Sequence, residues 1–228
     1  MKTETIPIHR LTKQQLVWMA NHTCKKHRHK YLEHYQCYVN ECQVKERVGF
    51  LDIEASNLDA DFGIMLSYCI KIAGSKEILQ GVLTKEDIEN AKPGCEDTRI
   101  IRQLVKDFEQ FDRIVTFFGK GFDVPFIRAR AIIDKVKFPN YGSVIHTDVY
   151  YIVRSRVKLS SRRLENCCRV LLGKTNKTRI NNAYWRGAVR GCKKALDYVL
   201  DHNKKDVIDL ERLYNKVINF SRKNDQSI

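Results

Sequence analysis

The pattern of apolar and polar positions changes from helical to strand-like near Val48. Upstream, apolar positions after Thr12 predict a short helix with Thr12 as its N-cap, because threonine hydroxyls accept the first helical N–H groups. Downstream, apolar and β-favouring runs separated by short polar turns predict strands over 48–54, 62–72 and 77–83. Strands joined by turns this short favour an antiparallel meander.

A helix, a strand and a second helix are predicted after the meander. Apolar residues recur at i, i+3, i+4 and i+7 from Ile101 to Phe108, which predicts a helix capped by Asp97. A buried strand is expected over 113–118. The next helix begins near Val124, and Pro125 is tolerated in its first turn.

The C-terminal third is predicted to be helical. A helix is expected to start at Ser160 or Ser161, with Cys167 and Cys168 as packing thiols. A further helix carries an apolar stripe from Val207 to Val217. Together with the strands, these helices predict an α/β domain with a mixed sheet.

Two carboxylates end the first predicted strand. Asp52 and Glu54 are two residues apart, so they point to the same face, and both are costly to desolvate. Such a pair is stable beside a positive charge, and Mg²⁺ or Mn²⁺ prefers carboxylate oxygen and water. The alternative is a strand that simply runs out into solvent at its end.

The formal charge of +14 is concentrated in one stretch. Between Arg154 and Lys194 the chain carries thirteen basic residues and one acid, Glu165. This asymmetry favours a polyanion such as nucleic acid as the partner, although a highly basic protein can also owe its charge to solubility alone.

Cysteines and histidines cluster near the N-terminus. We expect a zinc site, because three thiols and an imidazole suit closed tetrahedral Zn²⁺, and the candidate ligands are Cys24, His27, Cys37 and Cys42. His29 or His34 could replace His27. The alternative is a helix with a few buried thiols and exposed histidines. The predicted organisation is a Cys/His unit over 1–46, an α/β domain over 47–220 and a polar, frayed tail over 221–228.

Composition narrows the class of protein. Apolar residues make up 43% of the chain, enough for a sizeable core, and no apolar run is long enough to span a bilayer. The polar start, Met1 to Glu4, leads into no apolar segment of the kind found in signal peptides. We therefore expect a cytoplasmic protein without a membrane partner, whose eight cysteines are thiols or metal ligands.

Two further acidic positions follow the strand pair. Asp123 comes after the glycines Gly119 and Gly121, which allow a tight turn, and it is either a helix N-cap or a third carboxylate beside the pair. His202 and Asp206 are four residues apart and so share one helix face. An isolated histidine–aspartate pair on a helix usually lies on the protein surface without a functional role.

In this order, the motifs Asp52-x-Glu54, Gly-x-Gly-Phe-Asp123-x-Pro-Phe and His202-x3-Asp206 resemble those of the DEDD superfamily of 3′–5′ exonucleases. The chain looks most like stand-alone relatives of DNA polymerase proofreading domains, over about 48 to 217. The resemblance implies a ribonuclease H-like fold and two Mg²⁺ or Mn²⁺ ions held by Asp52, Glu54, Asp123 and Asp206.

Two departures from the superfamily motifs affect the expected roles. Phe118 stands where the second motif usually has asparagine. Histidine occupies the tyrosine-type spacing of the third motif, so the water-orienting role of His202 is less secure than the metal role of Asp206, and Tyr198 is the more distant substitute.

The implied activity is hydrolysis of phosphodiester bonds in DNA, with single-stranded DNA favoured and RNA as an alternative substrate. A non-catalytic, zinc-containing nucleic-acid-binding protein is the competing reading. The residues expected to contact the nucleic acid through charge or stacking are Lys120, Phe122, Arg162, Arg163, Trp185 and Arg186.

Overall fold

The computed structural model describes residues 11, 13–42, 46–140, 143–176, 178, 181–221 and 226–227. The chain divides into two compact units, Met1–Arg47 and Val48–Ile228. Helices α1 (Lys13–Asn21) and α2 (Tyr35–Glu41) belong to the first unit. Thr12, the predicted cap of α1, lies outside the described residues, as do Lys177 and Arg179 of the basic stretch.

A six-stranded mixed sheet organises the described part of the second unit, in the order β3-β2-β1-β4-β5-β6. Its strands are β1 (Val48–Ala55), β2 (Met65–Ile72), β3 (Ile78–Val82), β4 (Arg113–Thr116), β5 (Ile145–Asp148) and β6 (Gln226–Ser227). Strands β1, β2 and β3 pair antiparallel, so the predicted meander is confirmed. Strands β1, β4 and β5 are parallel, and β6 runs antiparallel to β5. The expectation of a frayed tail is therefore wrong for residues 226–227.

Helices pack on both faces of this sheet. They are α3 (Lys85–Asn90), α4 (Thr98–Phe108), α5 (Asp123–Ile133), α6 (Val149–Arg156), α7 (Leu164–Leu172), α8 (Asn182–Val189) and α9 (Lys193–Val217), which a 3₁₀ turn follows. The predicted α/β class with a mixed sheet flanked by helices is confirmed. No helix in the described ranges combines the length and the apolar character that crossing a membrane requires.

The alternation of side chains along β1 directs its acids toward α9. Leu51 and Ile53 are buried in the core that β1 shares with α4 and α5. Phe50 lies in the opposite core, with its ring 5.3 Å from that of Tyr214 on α9. Because side chains two apart share a face, Asp52 and Glu54 continue the Phe50 side of the strand.

Several predicted helix starts are wrong in detail. Helix α7 has Arg163 at its N-cap position rather than Ser160 or Ser161. Asp97 occupies the N-cap position of α4 without capping it, because its carboxylate accepts the N–H of Met65 and pairs with the buried Arg130. At Asp97, long-range partners thus compete successfully with local capping.

Three cysteines of the second unit, Cys69, Cys167 and Cys168, are buried, and packing was predicted for the last two. Cys167 and Cys168 are fully buried in the core between α7 and α9, which confirms that expectation. All eight cysteines of the chain are free thiols.

Candidate functional site

Strand β1 and helix α9 bring three of the expected site residues together. Ligand atoms of Glu54, His202 and Asp206 all lie within 4.8 Å of one another. His202 and Asp206 are buried, and Glu54 is half-buried. Two carboxylates and an imidazole at this spacing fit the oxygen-rich coordination that Mg²⁺ and Mn²⁺ prefer, so the donor set suits a divalent ion.

Asp123 reaches the same strand from the neighbouring helix. It is the first residue of α5 rather than its N-cap, which is Phe122. Its Oδ1 accepts the backbone N–H of Ile53 at 3.1 Å, between Asp52 and Glu54 in the sequence. The parallel pairing of β1 with β4 ends at Phe50, so this N–H lies beyond the ladder and is served by the carboxylate instead.

Burial gives Asp123 an unusual titration. Loss of solvent, together with repulsion from the Asp148 carboxylate, raises the pKa of Asp123 to about 7. A nearby cation would favour its ionised form and lower that pKa. This carboxylate is therefore poised to respond to a metal ion at neutral pH.

Asp52 is half-buried on β1 and lies opposite Cys69 of β2. Burial raises the pKa of the Cys69 thiol, and the charges of Asp52 and Glu54 raise it further, while that of Lys204 lowers it. The raised pKa of the Cys69 thiol reflects the negative charges of Asp52 and Glu54 on this face of the sheet.

His202 is oriented by a loop that sequence reasoning missed. Its Nδ1 lies 2.9 Å from Oγ1 of Thr178. Acid–base chemistry or metal binding by this ring would consequently use Nε2. The loop before Thr178 is tied to α9 through the buried Asp209, whose carboxylate accepts hydrogen bonds from the Thr175 hydroxyl and from the backbone and side-chain N–H groups of Asn176.

The turn before Asp123 is held by Asp148. Its carboxylate accepts the backbone N–H groups of Phe118 and Lys120 at 2.8 and 2.9 Å and also caps α6. Phe118 has φ of 68°, so a phenylalanine rather than a glycine takes the left-handed conformation in this turn. No local pattern announces Thr178 or Asp209, because each acts on a residue distant in the sequence.

The expected nucleic-acid contacts differ in exposure. Arg162, Arg163 and Arg186 are exposed, and the ammonium group of Lys120 lies 5.6 Å from the Tyr151 ring centre. Phe122 is half-buried against Phe126. Trp185 is also half-buried, and its indole N–H donates to the carbonyl of Ala55 at the end of β1. Trp185 and Phe122 therefore have packing partners as well as partly exposed surface.

A second candidate metal centre lies within the first unit. Ligand atoms of Cys24, His27 and Cys37 are within 4.8 Å of one another, which agrees with three of the four expected zinc ligands. The fourth, Cys42, is exposed and belongs to none of the clusters among the described residues, so its role as a ligand stays a prediction. It ends α2 on the side of Glu41 and Tyr31, whereas His34 Nδ1 lies 3.2 Å from Cys37 Sγ.

The residues that match a protein family lie within the second unit and cover most of it. The model of a family described as RNase_H superfamily matches residues 49–218, which include every acidic site residue named above. The chain belongs to the RNase H superfamily. This membership supports a nuclease-type function on nucleic acid and the use of divalent metal ions.

Similarity to a solved structure supports the same fold. The chain is similar to the family B DNA polymerase of the hyperthermophilic archaeon Pyrobaculum calidifontis, with a TM-score of 0.57 and 18% identity. The match covers 75% of this chain and 25% of the polymerase, so the chain corresponds to a quarter of that protein's length. None of the curated proteins compared with the chain matches it.

Proposed function

We propose that this RNase H superfamily member is a DEDD-type 3′–5′ exonuclease that hydrolyses phosphodiester bonds of single-stranded DNA with two divalent metal ions. The observation that carries the proposal is the convergence of Glu54, His202 and Asp206, with Asp123 bound to the same strand. A basic protein has little physical reason to bury carboxylates together unless a cation joins them.

Asp52, Glu54, Asp123 and Asp206 would hold the two ions, which would be Mg²⁺ or Mn²⁺ because all four ligands are carboxylates. Ions bound there supply an activated water and relieve charge on the leaving 3′ oxygen. The chain's own contribution is a rigid frame: β1 fixes two of the carboxylates, and α5 and α9 present the others toward it.

His202 would accept the proton of the attacking water. Its Nδ1 is engaged by Thr178, so Nε2 is the nitrogen that would take the proton. Imidazole is the side chain that most often serves as a general base. Loss of His202 should therefore reduce the rate more than it reduces metal affinity.

The basic stretch would bind the substrate strand. Arg162 and Arg163 are exposed immediately before α7, and Arg186 is exposed on α8. Arginines at such positions pair with phosphate oxygens without reading the base, which suits an enzyme that degrades any sequence.

An exoribonuclease with the same site is the second candidate, because the carboxylates and basic residues contact groups common to both nucleic acids. A non-catalytic binding module is the third. Metal-dependent cleavage, rather than metal-dependent binding, separates the enzyme from this module.

The test is a time course on 5′-labelled single-stranded DNA and RNA with Mg²⁺, with Mn²⁺ and with EDTA. Asp52→Ala and Asp206→Asn are compared with Asp201→Asn, an exposed acid on the same helix that pairs with Lys205. We expect a ladder that shortens from the 3′ end, is absent with EDTA and is lost in the first two variants but not in the third. Cleavage that survives Asp206→Asn would overturn the proposal, and the preferred substrate would decide between DNA and RNA.

A further inference from the structure

The Cys/His cluster of the first unit has a mirrored spacing. Cys24 and His27 are three residues apart, as are His34 and Cys37, and six residues separate the two pairs. In each pair the two side chains come from the same turn of the backbone. The two buried thiols, Cys24 and Cys37, lie at the outer ends of the pattern and the imidazoles at its inner ends.

The interatomic distances are those of a tetrahedral site. The Sγ atom of Cys37 lies 3.2 Å from Nδ1 of His27 and 3.2 Å from Nδ1 of His34. With metal bonds of about 2.3 Å to sulfur and about 2.05 Å to nitrogen, tetrahedral zinc requires about 3.5 Å between sulfur and nitrogen ligands. A small expansion of these two pairs would admit an ion, and His34 would also have to approach Cys24, because the two are not grouped within 4.8 Å.

Hydrogen bonds hold the loop that carries Cys24 and His27. The N–H of His27 points at Cys24 Sγ from 3.4 Å, which stabilises a thiolate. Between these two residues, Glu41 accepts the backbone N–H groups of Lys25 and Lys26 at 2.8 and 3.4 Å. A carboxylate from α2 thus holds the loop that carries two of the candidate ligands.

Among its described residues, the first unit has only a small core. Its buried cluster consists of six residues, and two of them are the candidate ligands: Leu11, Met19, Cys24, Tyr31, Cys37 and Tyr38. A unit of 47 residues with so small a core ordinarily requires a metal or disulfides for a stable fold. The cysteines are free thiols, so a metal ion is the remaining means of stabilising the fold of this unit.

We propose that the first unit binds one structural Zn²⁺ through Cys24, His27, His34 and Cys37. The site is closed, with two sulfur and two nitrogen ligands, and its contribution is to fold the unit rather than to catalyse hydrolysis. Residues 49–218, which match the superfamily, contain none of these ligands, so the zinc proposal stands or falls independently of the nuclease.

Two neighbouring residues are excluded as ligands on geometry. Cys42 groups with no other metal ligand among the described residues. His29 groups with His27 and His34, and its Nδ1 lies 3.3 Å from that of His34, whereas His34 Nδ1 itself lies 3.2 Å from Cys37 Sγ. These two residues provide the matched controls.

The experiment measures zinc in the full chain purified under reducing conditions and dialysed against metal-free buffer. Asp206→Asn serves as the parent, so that the carboxylate site of the second unit contributes no ion. We expect about one zinc per chain, released stoichiometrically when the thiols are titrated with a mercurial reagent. Replacement by Co²⁺ should produce the charge-transfer absorption of thiolate ligands. These two measurements need no ligand variant.

Ligand variants then assign the fourth position. Cys37→Ser and His34→Ala should lower zinc affinity by more than about 100-fold in competition with a chromogenic chelator, since residues that merely support a ligand are worth about 10- to 100-fold. Cys42→Ser and His29→Ala should retain the parent affinity. A parent chain without zinc overturns the proposal, and loss of zinc in Cys42→Ser with retention in His34→Ala overturns the ligand assignment.

Discussion

The buried Asp123 carboxylate should couple metal binding to stability. Its pKa is raised to about 7, against about 3.9 in an unfolded chain, so the native state holds this proton more tightly. The metal-free protein should therefore lose stability as the pH rises from about 4 through about 7. A bound cation would remove that loss by stabilising the carboxylate.

Asp123→Asn should separate these two effects. The amide oxygen can still accept the N–H of Ile53, while the buried charge is gone. In EDTA at pH 8 we expect the variant to be more stable than the parent by on the order of 1–4 kcal/mol, with little difference at pH 4. Mn²⁺ should raise the unfolding midpoint of the parent only. Urea titrations at both pH values check this, and equal destabilisation of the variant at pH 4 and pH 8 would contradict it.

His146 provides a second pH dependence, of opposite sign. Burial and the nearby cations Lys120, Arg128 and Arg113 lower its pKa to about 3, and its Nε2 lies 2.8 Å from the Thr116 hydroxyl. The unfolded chain takes up this proton near pH 6.5 and the native chain does not, so stability should fall as the pH drops from about 6.5 toward about 3. His146→Gln should flatten the decline over that window in urea unfolding, and an unchanged slope would assign the decline to other groups.

At the residue scale, the spacing of side chains predicted which site residues share a face of a strand or a helix. The two-residue and four-residue spacings placed Asp52 with Glu54 and His202 with Asp206 on shared faces, and the structure brings Glu54, His202 and Asp206 together. Thr178 and Asp209 could not be predicted, since a hydrogen-bond partner carries no periodic signal in the sequence. Cys42 was chosen over His34 by ligand type alone, because sequence spacing does not reveal which side of α2 faces the cluster.

Among the elements, the loop that precedes Thr178 is the one that should control the rate. Asp209 holds the Thr175–Asn176 backbone against α9, and Thr178 in turn holds Nδ1 of His202. Asp209→Asn should lower kcat on the order of 10-fold with little change in KM, since it misplaces a ring without removing it.

Substitutions of Thr178 test whether the orientation of the His202 ring causes the fall in kcat. Thr178→Val removes the hydroxyl and should reproduce the fall in kcat, whereas Thr178→Ser should retain activity. Single-turnover rates at saturating Mn²⁺ measure all three variants. If Thr178→Ser is as impaired as Thr178→Val, the hydroxyl does not act through His202.

The elements themselves were predictable to different degrees. The meander, α4 and α5 follow from apolar periodicity, because each buries one regular face. The start of β2 at Met65 and the caps of α4 and α7 did not follow from it. Those positions are decided by partners such as Arg130, which takes the Asp97 carboxylate from its own helix.

On the scale of the whole molecule, charge distribution is the feature that connects the fold to its substrate. The chain carries a formal charge of +14, and the stretch from Arg154 to Lys194 accounts for most of it. Such a charge pattern determines affinity through release of counterions from phosphate, which a salt titration measures. The family match gives the fold, whereas the charge predicts how the substrate is held.

The salt dependence of DNA affinity should therefore show which arginines contact phosphate groups. In EDTA, where cleavage cannot occur, the logarithm of the affinity for single-stranded DNA should fall linearly with the logarithm of salt concentration, with a slope of about −0.7 per phosphate contact. Arg162→Ala should make the slope shallower by about 0.7, if the residue contacts one phosphate. Lys76→Ala is the matched control, because Lys76 is equally exposed but lies in the turn between β2 and β3, away from the carboxyl end of β1. An equal change in both proteins would mean that net charge alone governs binding, and no change in the arginine variant would place the substrate elsewhere on the molecule.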